Sequence, residues 1–110
     1  MIIGITLLKG AGEPYYSPAF PRGGLTGYFR VEVQQVWGTN PTLDVAIEHK
    51  NEEDVSYAVA GSFTQITASG TFPKTQGTLR EIVRFKITVG GTEVYAGGHV
   101  LLLTPQWLPY

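Results

Sequence analysis

Three stretches of this chain alternate apolar and polar residues with a period of two, and that pattern decides the class of fold. In the strongest, Glu81, Val83, Phe85, Ile87 and Val89 share one side, while Arg80, Ile82, Arg84, Lys86 and Thr88 share the other. Leu43, Val45, Ile47 and His49 alternate with Asp44, Ala46, Glu48 and Lys50. Phe29, Val31, Val33 and Gln35 alternate with Arg30, Glu32 and Gln34. Successive side chains of a strand point to opposite faces, so each stretch reads as a strand with one face in a core and the other in water. No window of helical length carries apolar residues at i, i+3, i+4 and i+7 without a Gly or Pro inside it.

The remaining segments extend this pattern. Asn51, Glu52, Glu53 and Asp54 form a polar turn, residues 55–59 read as a strand, and Gly61 marks a bend or bulge. Residues 69–70 and 73–77 read as loops. Residues 93–95 form a short strand, and residues 99–103 form a last one whose unbroken apolar run predicts burial on both faces. With residues 1–9 as a first strand, about eight short strands result, separated by turn signals. That spacing predicts an all-β fold, an antiparallel β-sandwich. At 110 residues the chain is long enough for one core, so residues 1–110 are read as a single domain.

Two segments fall outside the alternation. Residues 10–27 contain Pro14, Pro18, Pro21, Gly23 and Gly24 with Tyr15, Tyr16 and Phe20 between them, and are expected to be irregular. The tail at residues 104–110 carries Pro105 and Pro109 beside Trp107 and Tyr110, and its prolines predict no regular ladder. Large rings left in water are unfavourable, so these segments either fold back on the domain or dock on a neighbour.

Composition narrows the function. There is no Cys, which removes disulfides, thiolate metal sites and Cys nucleophiles. A net charge of −1 gives no basic footprint for nucleic acid. No run of about 18 apolar residues is present to cross a membrane as a helix. Residues 1–9 lack the basic region and cleavage site of a signal peptide, so synthesis in a cytoplasm is expected. His49 and His99 are far apart in sequence and have no ligands at metal spacing. Ser17, Ser56, Ser62 and Ser69 lie in no nucleophile elbow. Glu52, Glu53 and Asp54 lack the alternation of a cation-binding loop and read as a solvated turn. No catalytic set, cofactor or metal is therefore expected. The basic stripe of Arg80, Arg84 and Lys86 is expected to pair with carboxylates across the sheet, for example Glu32 or Glu48.

Residues 43–57, followed by residues 60–63, form a strand, a polar turn, a strand with an aromatic and a small-residue bend, and residues 80–89 form a long returning strand. This order resembles jelly-roll sandwiches of the galactose-binding or discoidin type. It resembles more closely the small β-sandwich virion proteins of tailed bacteriophages, including those that decorate the capsid. The resemblance covers about half of the chain and transfers no site residue. It implies a jelly-roll fold and a non-enzymatic, multicopy structural role in a virion, with contacts to further copies and to a capsid or other virion protein. Tyr15, Tyr16, Phe20, Trp107 and Tyr110 are the expected contact residues, because aromatics are enriched at protein interfaces. The alternative is a carbohydrate-binding module in which Trp37, Tyr57 and Trp107 stack on sugars.

Overall fold

A computed structural model describes residues 2–9, 14–37, 42–90 and 97–108, with side chains for residues 14–35, 42–90 and Val100. The described residues contain no helix and nine strands: β1 (Ile2–Lys9), β2 (Pro14–Tyr16), β3 (Phe20–Pro21), β4 (Thr26–Trp37), β5 (Thr42–Lys50), β6 (Ala58–Ser62), β7 (Gly70–Gln76), β8 (Ile82–Gly90) and β9 (Gly97–Leu108). One sheet runs β1-β9-β4-β7, the other β2-β8-β5-β6, with β3 also on β8. Every ladder is antiparallel. The pairing is nested. β1 pairs β9, β2 and β3 pair β8, β4 pairs β7, and β5 pairs β6. Two further ladders, β4 with β9 and β5 with β8, divide this ribbon into the two sheets.

The alternating residues become the core, as the period predicts. Phe29, Val31 and Val33 of β4, Leu43, Val45 and Ile47 of β5, and Val83, Phe85, Ile87 and Val89 of β8 are all buried and belong to one cluster. The rings of Phe29 and Phe85 meet edge to face across the two sheets, 5.7 Å between centroids at 87°.

Residues 14–21 are not irregular as the sequence suggests. They form β2 and β3 along the edge of β8, and Phe20 is 9% exposed and enters the core. The prolines are compatible with this because Pro14 opens β2, Pro21 closes β3, and Pro18 falls in the gap between them. Ser17 bridges that gap. Its N–H donates to the Phe85 carbonyl at 3.0 Å, and its Oγ accepts from the Phe85 N–H at 2.8 Å. Ser17→Ala leaves a buried Phe85 N–H without an acceptor, which costs roughly 1–3 kcal/mol. Urea denaturation is the check, and an unchanged midpoint contradicts the bridging role.

Two further segments differ from expectation for the same reason. Residues 70–76 form the strand β7, where Pro73, opposite Arg30, sits on a strand that among the described residues pairs only β4. In the C-terminal tail, residues 106–108 pair with residues 26–28 of β4. Between Gln106 and Leu103 two residues, Thr104 and Pro105, stand against the single residue Phe29, so the proline is taken up in a bulge. The predicted strand at residues 55–59 starts only at Ala58. Its bulge lies at Ala60, next to Gly61, since Ile47 pairs Gly61 and Glu48 pairs Val59. The expected strand at residues 93–95 lies outside the described residues.

Candidate functional site

The site of interest forms on the outer face of the β2-β8-β5-β6 sheet. With Val83, Phe85 and Ile87 pointing inward, Ile82, Arg84, Lys86 and Thr88 point outward. Directly opposite residues of a ladder share a face. Lys86 thus faces out beside Tyr16 of β2 and Ala46 of β5, and Arg84 beside Glu48. Val59 of β6 continues the row from Glu48.

Arg84 organises this face. Its Nε donates to Glu48 Oε1 at 2.9 Å. Its guanidinium carbon lies 3.7 Å from the Tyr57 ring centroid and 4.1 Å from that of Tyr16. Lys50 Nζ lies 5.4 Å from the Tyr57 ring and Lys86 Nζ 6.0 Å from the Tyr16 ring. A cation over a tyrosine face is attracted by the ring quadrupole, worth about 0.5–1 kcal/mol at exposed positions and more when desolvated. The two rings also cover the ion pair, so Glu48 is only 7% exposed although it points away from the core. Around this centre Tyr16 is 42% and Val59 59% exposed.

The expected pairing of the basic stripe is found at Arg84 with Glu48, and Arg80 pairs Asp54 at 3.4 Å. Glu32 instead meets Arg30 on its own strand at 3.4 Å. Of the expected contact residues, Tyr16 is on this outer face, and Tyr15, one residue earlier in β2, packs against the core. Phe20 is in the core, where it is unavailable to a partner. Trp107 is in β9 opposite Gly27. Tyr110 lies outside the described residues. Arg84, Glu48 and Val59 were not singled out as contact residues by their sequence. The available signal was the register of Arg84 against Glu48, which follows once both alternating strands are placed side by side.

His49 closes the core beside the polar turn. Its Nδ1 accepts the Arg80 backbone N–H at 3.1 Å. Burial lowers its pKa below the usual histidine range and the Arg80 charge adds to this, while Asp54 pulls the other way. The folded chain therefore favours neutral His49. Its contribution to stability is complete above the unfolded value of about 6.5 and is lost as the pH falls from there through the lowered folded value. We expect the urea midpoint to fall below about pH 6.5 in the native chain, and to fall less in His49→Asn, which keeps an acceptor without titrating. Equal pH dependence in both proteins contradicts the assignment.

Among the described residues no group of three or more His, Cys, Asp or Glu gathers in a way that could hold a metal ion. A shallow depression of about 200 Å³ adjoins the aromatic centre, lined by Asp44, Ala46, Val59, Ser62, Lys86 and Thr88 among others. Compared with known proteins, the chain matches no family model, no curated protein and no solved structure.

Proposed function

We propose that the chain is a non-enzymatic structural protein of a phage-like virion, folded as a jelly-roll sandwich and acting through repeated contacts with its own copies and with a capsid or other virion protein. The nested strand order supports the fold. A jelly roll wraps a long antiparallel ribbon, first strand against last, into two sheets. The pairing described above follows that order when β2 and β3 count as one interrupted strand. Jelly rolls recur in viral capsid and lectin domains. A fold hosts many functions, so the functional reading rests on the surface.

The observation that carries it is the outer face of the β2-β8-β5-β6 sheet. Tyr and Arg are enriched at the energetic centres of protein interfaces, and here Tyr16, Arg84 and Tyr57 are already held against one another, with Val59 exposed beside them. An arginine fixed by Glu48 and two rings loses little freedom on binding, which favours association. The test is mass spectrometry of purified particles from a lysate of the host that carries the gene. Stoichiometric recovery with the particles supports the reading, and absence from them overturns it.

The depression beside Lys86 favours a second reading, in which the face binds a sugar. Asp44, Lys86, Ser62 and Thr88 present acceptors and donors around the apolar floor of Ala46 and Val59. Amide shifts confined to these residues on titration with simple hexoses, and lost in Asp44→Asn, would favour it.

A further inference from the structure

We propose that the loop of residues 77–81 is an acid-released latch, which His49 holds shut over one end of the core at neutral pH and frees when its imidazole gains a proton. The inference goes beyond the virion reading and does not depend on it. The loop carries the chain from β7 in one sheet to β8 in the other. Three hydrogen bonds fix it. The Leu79 N–H donates to the Leu25 carbonyl at 3.0 Å, the Arg22 guanidinium donates to the Leu79 carbonyl, and the Arg80 N–H donates to His49 Nδ1 at 3.1 Å. The Leu79 side chain is buried and belongs to the core cluster. Of the three acceptors only the imidazole titrates near neutral pH. A carbonyl keeps its lone pairs throughout, whereas an imidazolium carries a hydrogen on both ring nitrogens and accepts nothing. Protonation thus sets one donor against another at Arg80 and places a second cation beside its guanidinium.

Two further features favour release. Thr78 has a φ of 56°, in the left-handed region, where a β-branched residue is strained. A glycine stands one position earlier, at Gly77, so the strain falls on the threonine and is shed when the loop lets go. Beside the loop lies an open depression of about 430 Å³, lined by Pro21, Arg22, Glu52, Glu81 and Ile82. The loop can therefore move outward without displacing a packed strand. The charges around His49 come from the loop and from the turn at residues 51–54. Burial and then Arg80 oppose the protonated ring, and Asp54 favours it. Asp54 is already engaged, with the Arg80 guanidinium at 3.4 Å and the Asn51 N–H at 2.8 Å. In the same corner Lys50 Nζ donates to the Asp54 carbonyl and the Glu52 N–H donates to Glu81 Oε1, while Glu53 is exposed. The flanking strands set Ala58 of β6 and Val83 of β8 opposite His49, and neither carries a charge. Because the closed loop favours the neutral ring, acid drives the equilibrium toward the open one.

The experiment is amide hydrogen exchange followed by NMR, with each rate divided by its intrinsic value at that pH. The Leu79 and Arg80 amides are expected to be less protected than that of Phe85, which donates to Ser17 Oγ at 2.8 Å. Between about pH 7 and about pH 5 they are expected to lose protection by at least about threefold. In His49→Asn, whose side-chain oxygen accepts without titrating, their protection is expected to hold over the same range. Both proteins keep Asp54, so its titration cancels in the comparison. Thr78→Gly is expected to raise Leu79 protection several-fold at neutral pH, because the strain is gone. Should His49→Asn fail to fold, the native chain alone decides. The loss at Arg80 must then follow the titration of the His49 ring, and a ring that titrates while protection holds overturns the latch. Leu79 and Arg80 amides that exchange only together with Phe85, in global unfolding, overturn it as well. So does an equal loss of protection in His49→Asn, and so does Thr78→Gly that leaves Leu79 protection unchanged or lower.

Discussion

Phe85→Ala is expected to lower the unfolding free energy by about 3–5 kcal/mol. Phe85 has no solvent exposure, and its ring contacts Phe29 from β4 of the other sheet and Phe20 from β3, the latter at 6.3 Å. The same residue's backbone carries both hydrogen bonds to Ser17. Truncation therefore removes the ring on which three segments converge and leaves a cavity between two sheets that cannot close without moving their ladders. A domain of this size has about 5–15 kcal/mol in total, so the variant is expected to be marginal at room temperature. Phe85→Leu fills much of the space and is expected to lose less than half as much. Urea denaturation of the three proteins is the check. A loss below about 1 kcal/mol for Phe85→Ala would mean that the two sheets do not depend on this ring.

The second large effect concerns Arg84. Arg84→Ala strips a nearly buried Glu48 of its cation and removes two ring contacts at once. Breaking a fully buried pair costs about 3–5 kcal/mol. Here the Arg84 side chain is 25% exposed, so solvent replaces part of the lost interaction and about 2–3 kcal/mol is expected. The double variant Arg84→Ala with Glu48→Gln is expected to be more stable than Arg84→Ala alone, because the uncompensated charge is gone. If Arg84→Ala and the double variant unfold at the same urea concentration, burial of Glu48 is not what makes Arg84 matter. Tyr57→Ala and Tyr16→Ala, which remove one ring each, are expected to cost less than either.

What the sequence disclosed and what it concealed divide along a physical line. β5, β8 and the inward half of β4 are legible because one face of each is fully buried, and burial forces strict alternation. β2 and β3 are concealed because three and two residues are too few to show a period. They hold to β8 through the Ser17 bridge and the Phe20 plug rather than through a patterned face. β7 and the end of β9 are concealed by Pro73 and Pro105, one on a strand that among the described residues pairs only β4 and one in a bulge, where a missing N–H costs little. At the outer face the pairing of Arg84 with Glu48 follows from register. The convergence of Tyr16 and Tyr57 on the same guanidinium does not, since Tyr57 lies in the bend before β6 and Tyr16 in a strand the pattern does not reveal.

The account centres on the proposal that the chain makes repeated contacts with its own copies, and the unaltered protein tests this most directly. Its mass in solution, measured by sedimentation equilibrium across a wide concentration range, is expected to rise from the 12.0 kDa of one chain to at least twice that value. A mass that stays at 12.0 kDa throughout would contradict the account.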